Sequence, residues 1–142
     1  MKLVVDANVL LSAIIRDSST RNAILDSRLE LSAPDFLLKE VGKHVEHDKE
    51  IRRKTGLDEF ELKQIFDLLS KPIRIVPLQE YKEKLEEGLK LASHNEDAPY
   101  FAVALKEEDS IWSNDLGMTK QTKIKINDTK SVLKLLEPTT SF

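Results

Sequence analysis

Four acidic residues stand in the sequence at places where a carboxylate is costly, and together they could bind a divalent metal ion. Asp6 and Asp115 each follow a short apolar run, whereas Glu40 and Asp97 lie beside the apolar faces of predicted helices. Like charges that converge in space cannot all stay ionised unless a cation lies among them. The pattern therefore predicts a divalent-metal site, provided that the fold brings the four residues together.

The two strand-end aspartates each have a simpler explanation. Asp6 could cap the helix that follows its strand, and Asn8 could be either that cap or a residue that orients Asp6. Asp115 lies in the turn-rich segment 113–117, where aspartate is common for local reasons. In open α/β sheets, however, ligands bind outside the carboxyl ends of the strands. We therefore expect Asp6 and Asp115 to point toward the same edge.

The other two acids face inward on predicted helices. Glu40 falls on the shoulder of an apolar stripe on a helical wheel, where a salt bridge to a lysine is the alternative explanation. Asp97 lies in the inward face and in the first turn, where the helix dipole favours an anion. Capping explains the charge of Asp97 but not its inward direction, and we interpret Glu96 as a solvated neighbour. By contrast, Asp35 and Asp128 fit simple helix capping.

Alternating strands and helices must position these acids. Strands are predicted at residues 2–6, 29–33, 73–76, 110–113 and 123–127. Helices are predicted at residues 9–15, 21–28, 34–56, 62–69, 81–92, 97–106 and 128–136. Strands separated by helices indicate a three-layer α/β fold with a mainly parallel sheet. At 142 residues we expect a single domain, residues 1–142.

The charge balance restricts how this chain could bind nucleic acid. It has 22 basic and 25 acidic residues and a net charge of −3, whereas a protein that coats duplexes non-specifically is basic. Contact with nucleic acid must then be local, through metal ions or through small basic groups. The best basic candidates are residues 52–54 and the lysines Lys120, Lys123 and Lys125, although such charges are most often simply solvated.

Several other kinds of site are excluded or disfavoured. The absence of cysteine excludes disulfides, thiol catalysis and thiolate–zinc sites. The sequence contains no glycine-rich phosphate loop and no local Ser/His/Asp motif. A zinc site of Glu40, His44 and His47 lacks a further ligand, so we interpret the histidines as surface residues. Because neither a signal peptide nor an apolar bilayer span is evident, we expect a cytoplasmic protein.

Four segments of the chain, taken in order, resemble the acidic motifs of PIN-domain nucleases. They are residues 3–13, 37–41, 97–105 and 112–115. The resemblance covers essentially the whole chain. It implies an α/β/α sandwich with a mainly parallel central sheet, which binds Mg²⁺ or Mn²⁺ at its acidic cluster and cuts single-stranded RNA or flapped nucleic acid.

The resemblance also assigns roles to individual residues. Catalysis and metal binding are carried over to Asp6, Glu40, Asp97 and Asp115. Asn8 and Ser113 become supporting polar residues that help to hold the cofactor, and Ser113 stands where a threonine is frequent in the family. All-oxygen ligands independently favour hard ions such as Mg²⁺ and Mn²⁺.

Small proteins of this type resemble VapC-like toxins of toxin–antitoxin pairs, which implies a homodimer, a small antitoxin partner and single-stranded RNA as substrate. A stand-alone nuclease of RNA processing or decay is a second interpretation. A third is a degenerate PIN module that binds RNA or protein without cleaving. A phosphoacceptor receiver domain also has a strand-end aspartate, but the paired acids and the downstream lysine that it requires are not evident.

Overall fold

A parallel five-stranded sheet forms the centre of the computed structural model, which describes residues 1–15 and 18–138. The strands are β1 (Lys2–Val5), β2 (Glu30–Pro34), β3 (Ile73–Val76), β4 (Ser110–Trp112) and β5 (Ile126–Asn127). Their order across the sheet is β3-β2-β1-β4-β5, and every neighbouring pair is parallel. The predicted α/β/α sandwich with a mainly parallel sheet is thus confirmed.

Helices connect the strands and cover the sheet. They are α1 (Ala7–Ile15), α2 (Ser18–Ile24), α3 (Phe36–His47), α4 (Lys49–Thr55), α5 (Glu59–Ser70), α6 (Leu78–Tyr81), α7 (Leu85–Leu91), α8 (Ala98–Glu107) and α9 (Thr129–Leu135). Helix α8 packs across β1, β2 and β4 and also contacts α6 and α7, whereas α1, α3 and α5 contact one another. Within the described ranges, no helix is long and apolar enough to cross a membrane.

The position of β1 at the middle of the sheet follows from its sequence. Leu3, Val4 and Val5 are all buried, as expected for a strand that is covered on both faces and therefore does not alternate. Strand β1 pairs with β4 so that Val5 lies opposite Trp112. The residues that follow these two strands therefore emerge side by side at the carboxyl edge.

Several predicted boundaries were wrong for local reasons. The helix predicted at 34–56 begins only at Phe36, since Pro34 belongs to β2. It is also interrupted at Asp48, whose carboxylate accepts a hydrogen bond from the Glu50 amide at 2.9 Å and starts α4. This side-chain cap competes with the continuation of the helix. The helix predicted at 81–92 is likewise divided by a 3₁₀ turn, Lys82–Lys84, into α6 and α7.

Two further differences concern the sheet edge and a helix contact. The strand predicted at 123–127 is shortened to Ile126–Asn127. Gly88 lies in α7 where that helix meets α8, and a Cβ at this position would be 2.6 Å from the Ala98 carbonyl oxygen. Glycine therefore permits the close approach that holds the start of α8 in place.

Candidate metal centre

Asp6 and Ser113 are joined at the carboxyl edge of the sheet. Asp6 directly follows β1 and Ser113 directly follows β4, and their exposed fractions are 4% and 1%. The Ser113 hydroxyl donates a hydrogen bond to Asp6 Oδ2 at 2.7 Å and accepts one from the Asp115 amide at 3.0 Å. One buried hydroxyl therefore connects both strand-end acidic segments.

Asp6 also begins helix α1. Its carbonyl oxygen accepts a hydrogen bond from the Val9 amide at 3.0 Å, so the helix starts at Ala7. Asn8 lies inside the first turn and is exposed, so it does not cap this helix, which was one of its two interpretations. Burial raises the pKa of Asp6, the hydrogen bond from Ser113 lowers it, and the charge of Asp115 raises it again.

Glu40 reaches the same region from helix α3. Its carboxylate is half-buried and accepts a hydrogen bond from the Tyr100 hydroxyl at 2.7 Å. Among the described residues it forms no salt bridge to a lysine, which was the alternative explanation for this acid. Burial raises the pKa of Glu40, and the charges of Asp6 and Glu96 raise it further, while Tyr100 lowers it.

Tyr100 is a residue of the site that the sequence argument missed. It is 1% exposed on α8, and burial together with the Glu40 carboxylate raises its pKa, which keeps the hydroxyl a donor at neutral pH. A signal was present in the sequence, because Tyr100 lies three residues after Asp97 on the apolar stripe of α8. A buried tyrosine needs a partner for its hydroxyl.

Asp97 ends a 3₁₀ turn, Asn95–Asp97, and stands immediately before α8. Its side chain makes no hydrogen bond that caps this helix, so the capping interpretation does not explain it. Burial raises the pKa of Asp97 from 3.8 to about 6, helped by the charges of Asp6 and Asp115, and His94 lowers it. The carboxylate of Asp97 is therefore repelled by the negative charges of Asp6 and Asp115.

Asp115 combines a local and a long-range role. Its Oδ1 accepts a hydrogen bond from the Gly117 amide at 2.8 Å, so the turn interpretation is confirmed. Its charge also raises the pKa of both Asp6 and Asp97. Gly117 leaves room for this arrangement, since a Cβ there would lie 3.1 Å from Asp115 Oδ1.

The four acids form one electrostatic unit. Asp6, Glu40 and Asp97 each have a raised pKa, first because of burial and then through the charge of another member of the cluster. In the described part of the chain, no three acidic or histidine side chains stand close enough to enclose an ion as they are oriented. The donors that the four residues offer are all carboxylate oxygens, which suit a hard cation such as Mg²⁺ or Mn²⁺.

Neighbouring acids and histidines have other partners. Asp35 was expected to cap α3 but instead accepts hydrogen bonds from the Tyr81 hydroxyl at 2.7 Å and the Leu78 amide at 3.1 Å, which ties α3 to α6. Asp128 does cap its helix, through the Ser131 amide at 2.8 Å. His44 and His47 are exposed, in line with the surface interpretation.

Comparisons with known proteins identify a family and similar folds. A family model described as PIN domain matches residues 4–136. A chain in the crystal structure of VapBC2 from Rickettsia felis, bound to a DNA fragment from the VapBC2 promoter, has a similar fold. Its TM-score is 0.69 and its sequence identity 16%, and the match covers 90% of this chain and 98% of that chain. PAE2754 from Pyrobaculum aerophilum is similar with a TM-score of 0.69 and 18% identity, over 96% of this chain and 89% of that chain. No curated protein sequence gave a significant match.

Proposed function

The chain belongs to the PIN-domain family, and from this premise we propose that it is a metal-dependent endoribonuclease that cleaves single-stranded RNA. One observation carries the proposal: four carboxylates from separate elements repel one another at the carboxyl edge of the sheet. Such an arrangement costs stability, and a bound cation would offset that cost. Structural ion pairs do not account for it, because the cluster has an excess of one sign.

In this proposal Mg²⁺ or Mn²⁺ is held by the four acidic residues, with Asn8 and Ser113 in support. The ligands would be Asp6, Glu40, Asp97 and Asp115. A bound ion supplies the charge that polarises the scissile phosphate and activates water for in-line attack. The role of the chain is to orient the ligands: Ser113 holds one and Tyr100 holds another. No side chain acts as the nucleophile, and the expected products carry a 5′-phosphate and a 3′-hydroxyl.

We further propose that the protein is the toxin of a toxin–antitoxin pair, with a small antitoxin as partner and a homodimer as its assembly. The support is the likeness to the chain of VapBC2, which this chain covers almost completely. A stand-alone nuclease of RNA processing or decay is the alternative role. A small open reading frame directly upstream would favour the toxin over the stand-alone enzyme.

A degenerate PIN module is the second candidate, and one observation favours it. The acidic side chains, as oriented, do not close around an ion within the described ranges. A module of this kind would bind RNA or protein without cleaving it. The complete set of four acids favours the nuclease, because a module without catalysis has no need to maintain this repulsion.

The test is cleavage of a single-stranded RNA in Mn²⁺, with EDTA and the Asp6→Asn variant as controls. Asp67→Asn is the matched control, since Asp67 is an exposed acid on α5 away from the cluster. We expect 5′-phosphate products from the wild type and from Asp67→Asn, and none with EDTA or from Asp6→Asn. Normal cleavage by a folded Asp6→Asn protein would refute the assignment, and tight RNA binding without cleavage would support the degenerate module.

A further inference from the structure

A cavity of about 600 Å³ opens beside Glu40, on the outer side of helix α3. Its lining combines basic, aromatic and acidic side chains, namely Phe36, Lys39, Glu40, Lys43, His44, His47, Asp48 and Glu96. Because Glu40 belongs to both the cavity and the acidic cluster, the two adjoin at this residue. The cavity is therefore placed to receive a part of the substrate that flanks the reacting group.

Helix α3 has two faces with different compositions. Leu37, Val41 and Val45 are buried in the core and follow one another at four-residue intervals. The cavity residues from Phe36 to His47 recur at three- and four-residue intervals on another side of the same helix. Phe36 also packs against the core, whereas Lys39, Lys43, His44 and His47 are exposed and have no part in core packing.

The lysines of this face are not engaged elsewhere. Lys39 and Lys43 are exposed, and neither forms an ion pair with any residue in the described ranges. Most other lysines in the described ranges are likewise unpaired, and ion pairs are formed by Lys106 and Lys123. The two lysines beside the acidic cluster are therefore available to an external anion.

Three acids, Glu40, Asp48 and Glu96, share the cavity with the two lysines, and two of these acids have partners of their own. Asp48 accepts a hydrogen bond from the Glu50 amide at 2.9 Å, and its other oxygen lies 3.6 Å from His44. Glu40 accepts a hydrogen bond from the Tyr100 hydroxyl at 2.7 Å. Lys39 and Lys43 form no ion pair with these acids in the described ranges, so their ammonium groups can contact a bound anion. Half-buried Phe36 adds an aromatic wall to the same cavity.

We propose that this cavity binds a nucleotide of single-stranded RNA adjacent to the scissile phosphate, with Lys39 and Lys43 on its phosphates and Phe36 against its base. This inference rests on the proposed nuclease function. Lys43 follows Glu40 by three residues, about 4.5 Å along the helix axis, so its flexible side chain reaches a phosphate next to the metal centre. Aromatic side chains stack on unpaired bases regardless of sequence. The two lysines would supply the local positive charge that RNA binding by a chain with net charge −3 requires.

The experiment measures the affinity of a fluorescent single-stranded RNA by anisotropy in EDTA, where metal-dependent cleavage is off. The test protein carries both Lys39→Gln and Lys43→Gln, and Lys63→Gln, an exposed lysine on α5, is the matched control. Each phosphate contact on a single strand contributes about 0.7 to the slope of log K against log salt. The double variant should therefore lower that slope by about 1.4, which corresponds to a roughly 25-fold rise in Kd at about 0.1 M salt.

The outcomes separate this inference from the nuclease assignment. A loss of RNA affinity in the double variant, but not in Lys63→Gln, supports the subsite. In Mn²⁺ the same double variant should raise mainly the KM of RNA cleavage. Wild-type affinity in the double variant overturns the subsite, even when the wild type cleaves RNA. Loss of affinity in a protein that never cleaves supports the subsite and refutes the nuclease. A wild type that binds an acidic peptide through these lysines but does not bind RNA overturns the subsite.

Discussion

Replacing Asp97 by asparagine should stabilise the metal-free protein at neutral pH. The carboxylate is half-buried, its pKa is about 6 instead of 3.8, and it makes no helix-capping hydrogen bond that the substitution would remove. Asparagine keeps the size of the side chain and removes the charge that Asp6 and Asp115 repel. Most substitutions destabilise a protein, so a gain here is a specific expectation.

The size of the effect follows from the raised pKa of Asp97. A rise from 3.8 to about 6 corresponds to about 3 kcal/mol at pH 7 for a fully buried group, at about 1.36 kcal/mol per pKa unit. Solvent screening of a half-exposed carboxylate reduces this to about 1.5 kcal/mol. Loss of the favourable interaction between the anion and the start of α8 costs about 0.5 kcal/mol. The expected net gain is about 1 kcal/mol, or roughly 3 °C in Tm.

The direction of the pH dependence can be stated as well. Between pH 3.8 and about 6 the folded protein holds a proton on Asp97 that the unfolded chain has released. Stability therefore falls as pH rises through this window, and the whole penalty is present above about pH 6. The variant lacks this contribution. Its stability profile in EDTA should be flatter than that of the wild type between pH 4 and 6.

The assay is urea unfolding in EDTA at several pH values, repeated with saturating Mn²⁺. Asp67→Asn, an exposed acid on α5, controls for general loss of negative charge. At a metal concentration 100 times Kd the wild type should gain about 2.7 kcal/mol, whereas Asp97→Asn should gain much less. An Asp97→Asn protein that is less stable than the wild type in EDTA at pH 7, while Asp67→Asn is unchanged, would refute the reasoning.

Two further substitutions test the supports of the site. Tyr100→Phe removes only the hydroxyl that donates a hydrogen bond to Glu40. Because such a bond contributes about 1 kcal/mol, the apparent Kd for Mn²⁺ in a thermal-shift titration should rise about fivefold. An unchanged metal affinity would show that this bond does not position the ligand. Gly88→Ala should lower the free energy of unfolding by about 1–3 kcal/mol, because its Cβ meets backbone at 2.6 Å. The helical control is Gly42→Ala, whose Cβ would have only a side-chain neighbour at 3.9 Å. In the same urea experiment it should be neutral or stabilising by up to about 1 kcal/mol. An equal loss of unfolding free energy in both variants would contradict the explanation.

The sequence was sufficient to predict the architecture and the strand-end acids. Residues 3–5 are apolar without alternation, which indicates a strand buried on both faces, and helices between such strands require parallel pairing. Parallel strands end at one edge, so the sequence predicts that Asp6 and Asp115 point toward the same edge. The inward direction of Asp97 was also readable, since helical periodicity assigns each residue to a face.

The sequence was less informative where two local explanations compete. Asp35 and Asp128 both stand before helices, yet Asp128 caps its helix while Asp35 binds α6. The helix predicted through residue 48 is interrupted because the Asp48 side chain takes over a backbone amide. In each case two hydrogen-bond partners compete for the aspartate side chain, and residue propensities do not distinguish between them.

By itself, then, the sequence determined the mainly parallel sheet, the succession of strands and helices along the chain and the chemical type of the candidate site, because these depend on periodicity and on residue type. Only the tertiary structure decided which groups hold the acids. Ser113 meets Asp6 across 107 residues of chain, and Tyr100 meets Glu40 across 60. Such contacts depend on how β4 lies beside β1 and on where α3 and α8 bring their side chains together. No local pattern encodes these distances, since they are set by the packing of the whole core.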